Sequence, residues 1–216
     1  MKNYITSVLL CLISFFTVIA QDANIPNDIG ERLPGFVITK KGEKIEGFIK
    51  RKGKIASQRT VKFYTKKEDK KPTKYGPKDL NAYKILNDYY ESIPYEGLTG
   101  KTKVFIHQSV QGKINLFEYF QYVTEDLAQA TVAKKGNTEV AIDIDGKRLQ
   151  TEIIAIKETG EVLKFASPKM ILGFKKVVSN YMKDYPELAT KIKNKEKGYG
   201  MLSILKIVYE YNANFK

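Results

Sequence analysis

Between Phe36 and Phe165 the chain alternates apolar and polar residues in short runs broken by turn residues, and from Ser167 onward its apolar residues recur every three or four positions instead. Alternation with period 2 puts every second side chain on one face of a strand, whereas a period near 3.6 draws a stripe along a helix. The change of period therefore divides the chain into a β part and a helical part. The alternating runs are residues 36–39, 44–50, 60–65, 82–86, 103–110, 114–123, 139–144, 149–157 and 162–165. In the second of these, Ile45, Gly47 and Ile49 share one face while Glu46, Phe48 and Lys50 share the other. Runs 103–110 and 114–123 are β-branched and aromatic about Gly112 and form the clearest hairpin.

Short strands with turn signals at roughly 8–12-residue spacing predict a mainly β fold, a sandwich, roll or barrel of short antiparallel strands. Residues 35–166 are expected to form this β-rich domain, with 35–95 and 100–166 as two blocks within it. Residues 167–216 are expected to be a helical tail packed on it, making the chain α+β overall. In that tail Ile171, Phe174, Val178 and Tyr181 fall on one stripe behind Pro168. Asp184-Tyr-Pro-Glu187 has the form of a capping box with an early proline. After Gly198 and Gly200 a last helix is predicted over 201–212, with Leu202, Leu205, Val208 and Tyr209 as its apolar face.

Residues 1–20 have the three parts of a secretory signal: Lys2, an uncharged apolar run over 4–20, and Val18-Ile19-Ala20 ahead of Gln21. Cleavage between Ala20 and Gln21 is expected, leaving a periplasmic or secreted chain of 196 residues with a flexible leader over 21–34. The run is at the short edge for a membrane span, so an uncleaved anchor is the alternative. Ser14 and Thr17 dilute the run, and the small Ala20 favours cleavage. Cys11, the one cysteine, would leave with the signal, which excludes disulfides, thiol nucleophiles and cysteine metal sites from the mature chain. No later stretch is apolar over about 18 residues, so no transmembrane segment is expected in the mature chain.

The net charge of +13 is concentrated. Residues 31–78 hold 16 basic and 5 acidic residues, a net of +11, against +3 over 79–216. Lys40, Lys41, Lys44, Lys50, Arg51, Lys52, Lys54, Lys62 and Lys74 are the candidate anion-binding surface. The chain's basic residues are 33 Lys and 4 Arg, and lysine lacks the planar fork that reads phosphate or a base edge. That balance favours solvation, or weak salt-sensitive attraction, over specific readout. Tyr75, Tyr83, Tyr89, Tyr90 and Tyr95 lie close by in sequence. They either join the lysines in an aromatic and cationic surface or line a half-buried strand edge, where tyrosine is common.

Three other motifs fail on spacing or setting. Gly97-Leu-Thr-Gly-Lys101-Thr102 lacks the first glycine of a phosphate loop, since Tyr95 stands there, and it leads into a strand rather than a helix. Asp143-Ile-Asp145-Gly146 has its glycine fourth and Ile154 at the twelfth place, so it reads as a hairpin turn and not an EF-hand calcium loop, with a looser carboxylate site at Asp143 and Asp145 as the alternative. His107 is the single histidine, so any Ser-His-Asp chemistry would need it as base, and ordinary zinc sites are disfavoured. No cofactor or catalytic residue is expected.

Gly35-Phe-Val-Ile-Thr39, Gly42-Glu-Lys-Ile-Glu-Gly47-Phe-Ile49, the Tyr75-Gly-Pro77-Lys-Asp79-Leu80 turn, Tyr181-Met-Lys-Asp184-Tyr-Pro186-Glu-Leu188 and the closing Val208-Tyr-Glu-Tyr211-Asn212 together are familiar. In these the chain resembles a group of uncharacterised exported β-rich proteins of Bacteroidota. The resemblance implies export and a β-plus-helix layout and carries no activity or site residue. The first hairpin departs from that group in being unusually rich in lysine. The expected function is a non-catalytic binding or interaction module of the cell envelope. The alternatives are a basic anion-binding module acting through residues 40–78 on an acidic glycan, nucleic acid or phospholipid surface, and an enzyme with an unrecognised site.

Overall fold

Eleven strands join in one antiparallel sheet among the residues that the computed structural model describes, 28–97, 100–124, 141–144 and 147–215. The strands are β1 (Arg32–Thr39), β2 (Lys44–Lys50), β3 (Val61–Tyr64), β4 (Thr73–Tyr75), β5 (Leu80–Ile85), β6 (Asp88–Gly97), β7 (Gly100–Val110), β8 (Ile114–Thr124), β9 (Ala141–Ile144), β10 (Lys147–Lys157) and β11 (Val162–Lys164). Across the sheet the order is β11, β10, β8, β7, β6, β5, β1, β2, β3, β4, and β9 pairs with β10. Helices are α1 (Lys54–Ser57), α2 (Pro168–Tyr181), α3 (Pro186–Lys193) and α4 (Ile204–Asn214), the last entered through a 3-10 turn at Met201–Ser203. The chain is thus β-rich α+β, as the change of period predicts. The two expected blocks are continuous, because β6 and β7 pair along their whole length from Tyr89↔Gln108 to Gly97↔Gly100.

The first strands coil around their own core. Val37, Ile49, Val61, Phe63, Leu80, Tyr83, Ile85, Tyr90 and Phe105 are buried together. Gly35 and Gly47 face each other across β1 and β2, and a Cβ on Gly47 would lie 2.5 Å from both the Phe63 ring and the Tyr64 carbonyl. Only a residue without a side chain allows this approach.

Strands β7 and β8 are paired only near the turn that joins them, at His107↔Glu118, Gln108↔Phe117 and Val110↔Leu116. Farther from the turn Gln58, which ends α1, takes the place of a strand neighbour. Its carbonyl accepts from Phe105 N at 2.9 Å. Its side-chain amide donates to Phe120 O at 2.8 Å and accepts from Phe120 N at 2.6 Å. At the start of β8 Asn212 of α4 repeats the pattern, accepting from Ile114 N at 2.8 Å and donating to Ile114 O at 2.9 Å. Two buried side-chain amides thus satisfy backbone groups of β8 that strand pairing leaves open. On the opposite face the far end of β6 lies over β8 and β10: Tyr95 stacks on Tyr119 with centroids 3.9 Å apart, and its hydroxyl donates to Glu152 Oε2 at 2.7 Å.

The helices bury Met170, Val178, Tyr181, Leu188, Ile192, Ile204, Ile207, Val208 and Tyr211 against Val110, Ile114, Leu116 and Ala155 of the sheet. Ser167 Oγ caps α2 by accepting from Met170 N at 3.3 Å. Three sequence expectations change in detail. The Asp184 capping box does not form, since Tyr185 precedes α3 without a side-chain cap and Asp184 Oδ1 accepts from Lys157 Nζ at 2.9 Å. The first strand begins at Arg32, inside the segment read as leader; Gly30 N donates to Arg51 O and Arg51 N to Glu31 O, which extends the ladder backward. In α4 the buried stripe is Ile204, Ile207, Val208 and Tyr211. Leu202, Leu205 and Tyr209 are exposed instead. No helix among the described residues is long and apolar enough to cross a membrane.

Candidate functional site

The basic segment folds into strands whose alternation sorts its lysines by face. Ile49 and Phe63 pair on the core face of β2 and β3. Their neighbours Lys50 and Lys62 therefore stand on the outer face, next to each other in the same register. Lys62 in turn pairs directly with Lys74 of β4. With strands about 4.8 Å apart, Lys50, Lys62 and Lys74 form a row roughly 10 Å long. Arg32 extends it on β1 opposite Lys50, its guanidinium 3.8 Å from the Tyr64 ring centroid. Lys52 joins from the chain that leaves β2, its ammonium donating to Thr60 O at 2.9 Å. Burial first, then the charges of Lys62 and Lys74, lowers the Lys52 pKa. None of Lys50, Lys52, Lys62 and Lys74 forms an ion pair with a carboxylate among the described residues.

Five of the nine basic residues singled out in the sequence lie elsewhere. Lys40 and Lys41 sit at the β1–β2 turn, and Lys44 opens β2 there. That end of the hairpin is roughly 20 Å along the strand from Lys50, at about 3.3 Å per residue. Lys44 is paired with Glu46 at 2.5 Å and lies over the Phe36 ring. Lys40 reaches the Leu80 carbonyl. Lys54 covers the Phe120 ring at 4.7 Å. Four of the five nearby tyrosines are turned into the core instead of joining the lysine row. Tyr83 and Tyr90 are buried and stacked 4.6 Å apart, Tyr95 is buried against Tyr119, and Tyr75 packs on the β1–β3 core.

Arg51 belongs to a different construction. It donates to Asp28 Oδ2 at 3.2 Å and to Asp88 Oδ2. Asp88 Oδ1 lies 3.6 Å from His107 Nε2, and Glu118 Oε2 lies 3.1 Å from His107 Nδ1. The alternating chain Asp28, Arg51, Asp88, His107, Glu118 therefore crosses from the segment before β1 to β8. Burial alone would depress the His107 pKa, but contacts with Asp88 and Glu118 outweigh it and raise the value to about 9. The His107 contact, with help from Arg51, lowers Asp88 to about 2. At neutral pH this favours the charged ring, with a carboxylate beside each nitrogen. The carboxylates address different nitrogens, and among the described residues no His, Asp or Glu group is arranged to hold a metal.

Comparison of the chain with family models, with curated proteins and with solved structures returned no match. The two constructions must be weighed on their own chemistry. One is a network of alternating opposite charges, in which only Asp28 Oδ1 is buried without a hydrogen-bond partner among the described residues. The other is an open row of like charges on a sheet face. The turn that carries Gly97 and Gly100 joins two strands, and Lys101 stands in β7, the setting that excludes a phosphate loop. Asp145 and Gly146 lie outside the described residues.

Proposed function

We propose that this chain is an exported, non-catalytic binding module that holds an acidic polymer on the outer face of β2, β3 and β4. The observation that carries the reading is the direct cross-strand pairing of Lys62 with Lys74, continued by Lys50 and flanked by Lys52. Like charges placed opposite each other on a sheet oppose folding, and a bound polyanion relieves the repulsion. A row of ammonium groups on flexible stems matches repeated charge on a flexible chain and does not fix a base or sugar identity. Export rests on the signal-like residues 1–20 and on the resemblance to exported β-rich proteins. It predicts an intact mass beginning at Gln21 once the protein has left the cytoplasm, and a mass that retains residues 1–20 after export would refute cleavage.

Binding is tested by charge reversal on immobilised heparin. K50E/K62E/K74E is expected to elute at much lower salt than K169E/K175E/K176E, which makes the same change of net charge on α2. Equal elution of the two variants would show that only net charge matters and would remove the site.

A further inference from the structure

Helix α4 and the 3-10 turn that enters it carry two sets of apolar side chains, and the fold buries only one. Ile204, Ile207, Val208 and Tyr211 pack into the core. Leu202, Leu205 and Tyr209 are 58%, 50% and 57% exposed. Leu205 and Tyr209, four residues apart, share one side of α4, and Leu202 precedes them in the 3-10 turn that leads into the helix. Lys206 stands beside them on α4, three residues from Tyr209. Its ammonium lies 4.1 Å from the Tyr199 ring centroid and beside Gly198, so the loop after α3 borders the stripe. That loop brings Lys195 and Lys197, both exposed. Lys195 sits at the left-handed position after α3, with φ 55°. There Glu196 N donates back to Lys191 O and Lys195 N to Ile192 O. Glycine is the residue this helix ending favours, so a lysine here holds a charge at the rim at a cost in backbone strain. Lys195, Lys197 and Lys206 pair with no carboxylate among the described residues, whereas Lys191 is taken up by Glu187 and Glu210.

We infer that this side of α4 docks on a phospholipid surface bearing anionic headgroups. The chemistry is that of an interfacial helix: a short row of Leu and Tyr side chains that enters the acyl boundary, edged by lysines at headgroup level. The exposed leucines and tyrosine separate this surface from the lysine row on β2–β4, where the neighbouring Tyr64 is buried and Phe48 half-buried. A second copy of the chain would meet the same lysines facing its own, so the charge rim favours lipid over self-association.

The test uses the protein isolated after export and sedimented with phosphatidylcholine vesicles, with and without phosphatidylglycerol. Wild type is expected to bind the phosphatidylglycerol vesicles, and L202S/L205S/Y209S to bind at least tenfold more weakly with unchanged far-UV circular dichroism. Leu205→Trp, in a chain with no other tryptophan, is expected to shift its emission to the blue on those vesicles. The proposal is overturned if the triple variant binds as wild type does or if the Leu205→Trp emission does not move. It is overturned equally if sedimentation equilibrium shows a dimer that the triple substitution abolishes while vesicle binding persists.

Discussion

Gln58 and Asn212 show how much one buried amide can do at the level of a single residue. Each offers one donor and one acceptor at the spacing of a strand neighbour, and each satisfies both backbone groups of one β8 residue. Gln58→Leu keeps the volume and removes both bonds. Two buried backbone groups of Phe120 then lose their partners, at about 1–3 kcal/mol for each. A loss of about 3 kcal/mol is predicted, which for a chain of this size lowers Tm by roughly 6–12 °C. Thermal denaturation checks it, and an unchanged Tm would mean that the amide is not what closes the split between β7 and β8. His107 gives a prediction with a definite sign. Its folded pKa, about 9, is above the ordinary histidine value of 6.5. Its stabilising contribution is therefore full below about pH 6.5 and is lost as pH rises through 9. His107→Gln should cost most near pH 6 and progressively less toward pH 10. A cost that grows across that range would contradict the assigned network. The Asp88 contribution runs the other way, present above pH 4 and lost as pH falls through about 2.

The elements divide into those whose signal is local and those whose signal is shared between distant segments. The β1–β2 and β7–β8 hairpins were legible because alternation, turn glycines and β-branched residues agree over each run. Strand β6 was not, because Tyr89-Tyr90 and Pro94 interrupt its alternation and its identity comes from pairing with β7 along nine residues. Strand β4 is three residues long and follows a lysine run, so only β3 defines it. Over 201–212 both 202/205/209 and 204/207/208/211 are apolar at helical spacing in the sequence, and periodicity alone cannot say which set meets the sheet or that residue 202 falls in a 3-10 turn. The candidate site was half legible for a similar reason. Alternation places Lys50 and Lys62 on outer faces, but bringing Lys74 beside them requires the β2–β3–β4 order. At this scale the row predicts opposite effects on stability and binding. Lys62→Glu sets a carboxylate between Lys50 and Lys74, a cross-strand change worth about 0.2–1 kcal/mol in favour of folding. The variant should melt no lower than wild type while it binds polyanions more weakly. A lower Tm would show that Lys62 is structural.

Across the whole molecule, one continuous sheet places its charges in two distinct ways. Where opposite charges meet, at Asp28, Arg51, Asp88, His107 and Glu118, they join the segment before β1 to β8 in a chain of internal ion pairs. Where lysines meet only lysines, on β2, β3 and β4, the field is open to solvent. The concentration of charge in residues 31–78 was visible in composition. Its division between an internal network and an external row was not, since Arg51 and Lys50 are adjacent in sequence and differ only in which side of the chain they leave. The decisive measurement is the salt dependence of binding to a single-stranded polyanion such as oligo-dT, for wild type and for K50E/K62E/K74E. Neutralising four phosphates through Lys50, Lys52, Lys62 and Lys74 predicts a slope of log K against log salt of about −3 for wild type. The variant should be shallower by about 2. Parallel lines for the two proteins would contradict the assignment of binding to this face.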